Sequence, residues 1–368
     1  MTVRRLALLA ALPLLAVAAC GDDAREERVV VASAPGSEAA TRLRQSIETA
    51  TFSPPAPAPE SPGTAPATPS GETSPSAGGG VEPSGAVQPD PAVVRAQILL
   101  DRTRFSPGIV DGLGGENTRQ AIAAFEEAHD LPVDGALDAT VFERLAAGDA
   151  RPVLMDYTIS EADAAGPFIG AVPEDIEAMA RLETVGYADA REALAEKFHM
   201  SEALLDALNP GVDFSRAGQT IVVAATGTSG LQGEVARIVV DKDESSVRAF
   251  DADGRLLAFY PATIGSGETP SPSGTHTVRA IAPRPNYTYD PSRVSYGDGG
   301  GKVVVPAGPN NPVGSVWIDL SRDTYGIHGT PAPAEIGKTV SSGCVRLTNW
   351  DAEQLASAVK AGVEVRFL

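Results

Sequence analysis

Residues 325–347 read YGIHGTPAPAEIGKTVSSGCVRL and hold the histidine and the cysteine that dominate the chemistry of this chain. His328 and Cys344 are 16 positions apart, so the connecting loop can fold one residue back onto the other. A free cysteine thiol has a pKa of about 8.5 and is mostly protonated at neutral pH. A histidine within hydrogen-bond reach activates such a thiol by accepting its proton. The pair is therefore a candidate for nucleophilic catalysis, and a pair of buried structural residues is the alternative.

Small residues and backbone groups around the cysteine fit the same chemistry. Gly343 leaves space beside the sulfur for a substrate carbonyl, and the N–H groups of Gly343 and Cys344 are expected to face a developing oxyanion. The other histidines offer no competing metal site, because no pair has zinc-ligand spacing and no His-Glu-x-x-His stretch occurs. His129 and His199 are expected at the surface.

The sequence around this stretch, residues 231–368, has the pattern of a β-rich domain. Apolar runs and alternation predict strands at 236–240, 247–250, 256–264, 275–281, 303–305, 316–320, 325–328 and 363–367. One helix is predicted at 350–361, with residues 348–351 resembling a capping box.

The two clusters, 325–330 and 341–347, resemble the L,D-transpeptidase catalytic domain of the YkuD type. The stretch GPNNPVG at 308–314, ahead of Trp317, strengthens this resemblance. It implies that Cys344 is the acylated nucleophile and His328 its base. It also implies a set of residues that shape the substrate pocket or the oxyanion site: Ser341, Ser342, Gly343, Arg346 and Gly329. Ser342 stands where many members of the family have a second histidine.

The activity that this resemblance implies is a two-step acyl transfer on peptidoglycan stem peptides. Cys344 would attack the peptide bond between the diamino acid and the terminal D-Ala of a tetrapeptide stem. The amine of a second stem would then form a 3-3 cross-link. Water or a protein amine is an alternative acceptor, and a non-catalytic peptidoglycan tether is the alternative from another functional class. The resemblance implies no metal and no organic cofactor.

The N-terminus has the features of an export signal and a lipid anchor. Residues 1–19 contain Arg4 and Arg5 followed by an apolar run. They end before Cys20 with Val-Ala-Ala, which resembles the lipobox of bacterial lipoproteins. The resemblance implies a lipid on Cys20, a periplasmic location and, since Gly21 follows, anchoring in the outer membrane. An ordinary cleaved signal is the alternative. A lipidated Cys20 would leave Cys344 without a disulfide partner.

Residues 20–91 are predicted to be a disordered tether. The stretch 53–91 holds 11 of the 30 prolines and no aromatic residue. Such a composition buries too little apolar surface to offset the entropy of ordering. In polyproline geometry these residues would extend on the order of 120 Å.

Two small modules are predicted between the tether and the β-rich domain, so the fold class is multidomain. In residues 92–150 the apolar spacing predicts three helices, and the segment 107–125 resembles a three-helix peptidoglycan-binding domain. Val110-Asp111-Gly112 recurs as Val133-Asp134-Gly135, and Glu126 replaces the glutamine usual in that family. A spacer without a ligand is the alternative.

Residues 151–230 resemble a divergent LysM module of α+β type. Strands are predicted at 156–159 and 217–223, and two short helices at 193–198 and 204–208. An insertion of about 30 residues follows the first strand. The resemblance implies glycan binding, and a structural connector is the alternative.

The net charge differs between these regions, and its distribution argues against nucleic acids as a partner. The chain has a net charge of −19, whereas residues 231–368 hold 13 basic and 15 acidic residues. Nucleic-acid binding is not expected, because no basic patch is present to displace counterions.

Overall fold

Helices form the first part of the chain that the computed structural model describes, which comprises residues 37–52, 88–227, 230–231, 233–293 and 301–368. The predicted signal sequence, Cys20 and residues 53–87 of the tether lie outside these ranges. The bounds of the helices are Glu38–Thr49 (α1), Pro91–Arg102 (α2), Glu116–Ala128 (α3) and Ala139–Gly148 (α4). The helices α2, α3 and α4 confirm the three predicted within residues 92–150.

The helix α1 lies inside the range 20–91, and the prediction of a disordered tether is wrong for this part. The Ser37 side chain caps α1 by accepting a hydrogen bond from Ala40 N–H at 3.2 Å. Ile47 is completely buried. The Glu48 carboxylate accepts a hydrogen bond from Leu154 N–H at 2.7 Å. The helix lies ahead of the proline-rich stretch 53–91 and is stabilised by tertiary packing, which local composition does not reveal.

The repeated Val-Asp-Gly turns of the helical region have equivalent hydrogen bonding. Gln97 Oε1 accepts from N–H groups of the first turn, and Glu126 Oε2 accepts from those of the second. The bonds run from Asp111 (3.1 Å) and Gly112 (2.8 Å) to Gln97, and from Asp134 (3.0 Å) and Gly135 (2.8 Å) to Glu126. Both acceptor side chains are buried. Glu126 thus holds its turn in the way that Gln97 holds the other.

The middle segment has a strand at each end and helices between them. Its elements are Leu154–Thr158 (β1), Glu161–Ala165 (α5), Ile176–Met179 (α6), Ala190–Lys197 (α7), Glu202–Leu208 (α8) and Thr220–Ala224 (β2). The strands β1 and β2 pair antiparallel, with Leu154 opposite Ala224. The elements α7 and α8 confirm the two predicted helices, and α5 and α6 occupy the insertion. The LysM-like assignment stays a prediction.

An eight-stranded sheet organises the C-terminal region. The elements are Arg237–Asp241 (β3), Ser246–Phe250 (β4), Leu256–Pro261 (β5), Gly274–Pro283 (β6), Tyr287–Tyr289 (β7), Val303–Val305 (β8), Val316–Leu320 (β9), Gly326–His328 (β10), Val345–Arg346 (β11), Asn349–Ala358 (α9) and Glu364–Phe367 (β12). The order in the sheet is β11-β10-β9-β6-β12-β3-β4-β5. The strands β7 and β8 form a separate pair. The β-rich fold is therefore confirmed, and the short strands β7 and β11 were not predicted.

Two hydrophobic cores hold these elements together. One lies between the large sheet and α9, and includes Ile318, Ile327 and Leu355. The other joins α1 to α4 with the middle segment, and it also contains Phe259 of β5. The helical module and the middle segment therefore share one core, although the sequence separates them at residues 150 and 151. All these elements belong to one compact unit, Pro35–Leu368, and none of the described helices combines the length and apolarity needed to span a bilayer.

Candidate active site

The strands β10 and β11 bring the histidine and the cysteine together. They pair in parallel, with His328 opposite Arg346. Cys344 precedes β11 and lies two positions before Arg346. Val345, the residue after Cys344, lies opposite Ile327, the residue before His328, so the pairing brings the backbones of the histidine and the cysteine near each other. The predicted proximity of His328 and Cys344 thus depends on a parallel pairing of the strands at the two ends of the 15-residue connection 329–343.

His328 is buried and held in one orientation. Its Nδ1 lies 2.6 Å from the Gly329 oxygen, and since a carbonyl only accepts, Nδ1 carries the proton and the lone pair is on Nε2. The ring stacks on Trp317, which is opposite it on β9, with centroids 5.2 Å apart and planes at 18°. Burial lowers the pKa of His328 to about 4, and the charge of Arg346 adds to this effect. The imidazole is therefore neutral at pH 7.

The Cys344 thiol is protonated when the imidazole of His328 is neutral. It is a free, half-buried cysteine, and its Sγ donates a weak hydrogen bond to the Thr324 oxygen at 3.6 Å. Burial raises the pKa of the Cys344 thiol, and the Gly326 N–H and the Arg346 charge oppose this shift. No hydrogen bond joins the Cys344 and His328 side chains: Nδ1 of His328 and Sγ of Cys344 are each bonded to a backbone oxygen. The resting pair is a neutral thiol and a neutral imidazole.

The turn before the nucleophile leaves one backbone donor open. Gly343 N–H donates to Ser341 Oγ at 3.1 Å, and Ser341 Oγ in turn donates to the Cys344 oxygen at 2.5 Å. Ser271 Oγ donates to the Gly343 oxygen at 2.8 Å. Cys344 N–H has no hydrogen-bond partner among the described residues. Of the two donors expected at the oxyanion site, Gly343 N–H is therefore occupied, and Cys344 N–H is available.

Gly343 also meets a steric requirement of this turn. Its φ of +112° lies in the region that favours glycine, and a Cβ there would be 2.8 Å from Cε1 of Tyr325. The sequence indicates a small residue here through its motif, but only the tertiary structure shows the tyrosine ring against it.

The remaining predicted site residues have different surroundings. Ser342 is exposed next to the turn. Arg346 is half-buried, and no carboxylate within the described chain forms an ion pair with it. Gly329 N–H donates to the Val316 oxygen at 3.3 Å, so this group is not a free oxyanion donor. A Cβ at Gly329 would overlap Asn349 Oδ1. Gly329 therefore supports His328 through its carbonyl and its lack of a side chain.

Asn349 is a supporting residue that the sequence did not indicate. Its Oδ1 accepts a hydrogen bond from Ser315 N–H at 3.0 Å, and it lies against both Gly314 and Gly329. Its Nδ2 donates to the buried Glu196 of α7 at 2.9 Å. Glycines at 314 and 329 were the only sequence signal for this close approach. Asn349 thus links the histidine strand to the middle segment.

The comparisons with known proteins agree with this geometry. A model of the L,D-transpeptidase catalytic domain (YkuD) matches residues 235–366, and a model of a putative peptidoglycan binding domain matches residues 89–145. The putative L,D-transpeptidase YkuD of Bacillus licheniformis is 32% identical over 176 residues, which are 47% of this chain and 90% of the relative. The chain belongs to the L,D-transpeptidase family. The probable L,D-transpeptidase YcfS of Escherichia coli is 33% identical over 188 residues, 48% of this chain and 58% of that relative.

The predicted enzyme class is thereby confirmed: this L,D-transpeptidase is an acyltransferase of the cysteine type with a peptidoglycan-binding domain beside its catalytic domain. Within the described ranges, no group of three or more His, Cys, Asp or Glu side chains is arranged to hold a metal ion.

The L,D-transpeptidase also has a buried polar cluster where its modules meet, which we call the module junction (Asp101, Glu196, His199, Trp350 and Asp351). His199 Nδ1 lies 2.8 Å from Asp101 Oδ2, and its ring stacks on Trp350 with centroids 4.8 Å apart. His199 is therefore half-buried, with 14% of its side chain exposed, and does not lie free at the surface as predicted. Burial raises the pKa of Glu196 and of Asp351 to about 7.

Proposed function

We propose that Cys344 and His328 carry out L,D-transpeptidation on peptidoglycan stem peptides. The observation that supports this most is the parallel pairing of β10 and β11, in which the strand that ends at His328 lies beside the strand that begins directly after Cys344. The role of Arg346, whose charge is unpaired among the described side chains, is to attract a carboxylate of the stem.

Acylation begins from the neutral pair. The thiol passes its proton to His328 Nε2 while the sulfur bonds to the carbonyl carbon of the diamino acid–D-Ala bond. Cys344 N–H donates to the oxyanion. The C–N bond then breaks, and His328 returns the proton to the amine of D-Ala. A rotation of the Cys344 side chain away from the Thr324 oxygen starts this step, since the thiol points its proton there in the free enzyme.

Transfer completes the reaction. The side-chain amine of a second stem attacks the thioester carbon, the C–S bond breaks, and the proton of the amine passes through His328 to the sulfur. The product is a 3-3 cross-link. With water as acceptor the same steps give an L,D-carboxypeptidase, and with a protein amine they attach a protein to the wall.

The rest of the chain localises the enzyme. Residues 92–150 bind peptidoglycan, and the LysM-like segment at 151–230 adds a second glycan contact. A lipid on Cys20 anchors the protein in the outer membrane on its periplasmic side. This part of the proposal rests on the sequence motifs at residues 1–20. Replacement of Cys20 by serine should release the exported protein from the membrane fraction.

The decisive experiment is mass spectrometry of purified tetrapeptide muropeptides incubated with the full chain carrying Cys20→Ser. This variant leaves Cys344 as its single cysteine. We expect dimers linked between two diamino acids and the release of D-Ala, and neither product with Cys344→Ala. Release of D-Ala without dimers would show that the enzyme acts as a carboxypeptidase and not as a transpeptidase. Equal product from Cys344→Ala would refute the assigned nucleophile.

A further inference from the structure

The loop that connects His328 to Cys344 is held by the peptidoglycan-binding domain. Asn117, the second residue of α3, donates from Nδ2 to the Ile336 oxygen at 2.9 Å. The adjacent Gly337 has a φ of +73° and lies so close that a Cβ there would overlap Asn117 Oδ1. Ile336 itself is buried. The contact joins residues that are 219 positions apart in the sequence.

The same part of the loop is tied to the sheet on its other side by Thr263. Thr263 Oγ1 accepts a hydrogen bond from Gly337 N–H at 3.0 Å and donates to the Glu335 oxygen at 3.3 Å. The main chain of Thr263 exchanges two hydrogen bonds with Arg346, at 2.9 and 2.8 Å. One residue thus connects the loop to the strand that follows Cys344.

Ser341 connects the end of the loop to the turn that carries Cys344. Ser341 N–H donates to the Ile264 oxygen at 2.7 Å, and Ser341 Oγ donates to the Cys344 oxygen. A continuous set of hydrogen bonds therefore runs from α3 through residues 335–337 to Cys344. A displacement of the loop at Asn117 would therefore also shift Cys344, because these hydrogen bonds connect the two positions.

We propose that Asn117 is a positioning residue for catalysis, through which the peptidoglycan-binding domain fixes the loop between the catalytic pair. This inference rests on the proposed roles of Cys344 and His328. Asn117 does not touch the reacting atoms. It restricts the loop and thereby the position of Cys344 relative to His328, so that the domain contributes to the chemical step in addition to binding the wall.

A neighbouring side chain provides a matched control. Gln120, one turn further along α3, donates from Nε2 to the Glu244 oxygen at 2.6 Å. Both residues are amides of the same helix that donate to a backbone oxygen of the catalytic domain. Glu244 lies in the turn between β3 and β4 and not in the loop 329–343. Gln120→Ala therefore removes a comparable interdomain contact without releasing the loop.

The experiment compares Asn117→Ala and Gln120→Ala in the full chain carrying Cys20→Ser, on soluble muropeptides so that affinity for intact wall does not enter. We expect Asn117→Ala to lower kcat roughly 10-fold or more with little change in KM, because small misplacements of reacting groups cost one to two orders of magnitude. Gln120→Ala should keep kcat within about 2-fold, while thermal unfolding shows a similar loss for both variants.

A second readout tests the geometry directly. The rate at which iodoacetamide alkylates Cys344, followed from pH 4 to 10, should change in Asn117→Ala and not in Gln120→Ala. Gly337→Ala disturbs the same contact from the loop side and should lower kcat by itself. In the double variant with Asn117→Ala, the additional decrease in kcat should be smaller than the effect of Gly337→Ala alone, because both changes act on one contact.

The outcomes separate this inference from the proposed function. Equal kcat values and equal alkylation profiles for Asn117→Ala and Gln120→Ala would overturn the positioning role while Cys344→Ala remained inactive. Activity in Cys344→Ala would overturn the proposed function itself.

Discussion

His328 and Trp317 face each other across β9 and β10, and their rings stack at 5.2 Å. The indole shields the imidazole from water, and burial is the main cause of the low pKa of His328. The stack contributes to this burial, which keeps the imidazole neutral well below pH 7, and it fixes the orientation of the ring.

The first prediction is an acid limb of activity near pH 4. A lowered histidine pKa means that the basic form persists as the pH falls, so half of the acylation rate should be lost at about pH 4. Trp317→Ala should move this midpoint upward toward about 6.5, the ordinary value for histidine. Trp317→Phe, which keeps an aromatic ring, is the control and should move it less. A wild-type midpoint near 6.5 would contradict the effect of burial.

The second prediction concerns β-lactams. A carbapenem offers Cys344 an activated carbonyl similar to that of the stem peptide, and we expect one covalent adduct per chain. Peptide mapping of the Cys20→Ser chain should place the added mass on Cys344. Cys344→Ala should gain no mass and should unfold at nearly the wild-type temperature. An adduct on another residue would argue against the site.

The third prediction concerns Gly329. A methyl group there would overlap Asn349 Oδ1 and displace the carbonyl that holds His328. We expect Gly329→Ala to lower the free energy of unfolding by about 1–3 kcal/mol, as overpacking does, and to reduce acylation. Gly267→Ala is the matched control, because no atom lies within 4 Å of its Cβ position. Denaturant titration measures both, and equal stabilities would contradict the proposed packing.

The fourth prediction is a pH-dependent stability of the module junction. Glu196 accepts hydrogen bonds from Tyr187 and Asn349, each at 2.9 Å, and burial raises its pKa to about 7. A raised carboxyl pKa stabilises the fold below the unfolded pKa, and this contribution is lost as the pH rises through about 7.

Glu196→Gln keeps an acceptor oxygen and does not ionise. Relative to wild type, its free energy of unfolding should therefore improve by about 3 kcal/mol between pH 4.5 and 7.5. Glu364→Gln, at an exposed position of β12, changes the same formal charge and should show no comparable trend. A difference between Glu196→Gln and wild type that is constant with pH would contradict the buried-acid interpretation.

The fifth prediction compares the full chain with residues 231–368, each on intact sacculi and on soluble muropeptides. Excision removes the contacts of Asn117 with Ile336, of Glu196 with Asn349, and of Ser106 with Asp351, the last at 2.9 Å. We therefore expect activity to fall on both substrates. An excised domain that keeps its rate on soluble muropeptides would show that the upstream modules act only by raising the local substrate concentration.

Most of the helices and strands, and the chemistry of the site, could be predicted from local sequence patterns. Alternation predicted β3, where Ile238 and Val240 are buried, and helical spacing predicted α2 to α4. The clusters around His328 and Cys344 indicated the enzyme family. These signals are local, since the period of the side chains along a strand or helix is set by backbone geometry alone.

Which of these groups act together depends on long-range packing. The contact of Gly329 with Asn349, the stacking of His199 on Trp350, the packing of α1 against β1 and the hydrogen bond from Asn117 to Ile336 all join residues that no local period relates. The strand β11 has two residues, too few for a pattern, yet its parallel pairing with β10 brings the strand of His328 beside the strand that follows Cys344. Such pairings are fixed by the combined packing of the cores, because each separate contact is worth too little to specify a partner 16 to 219 positions away.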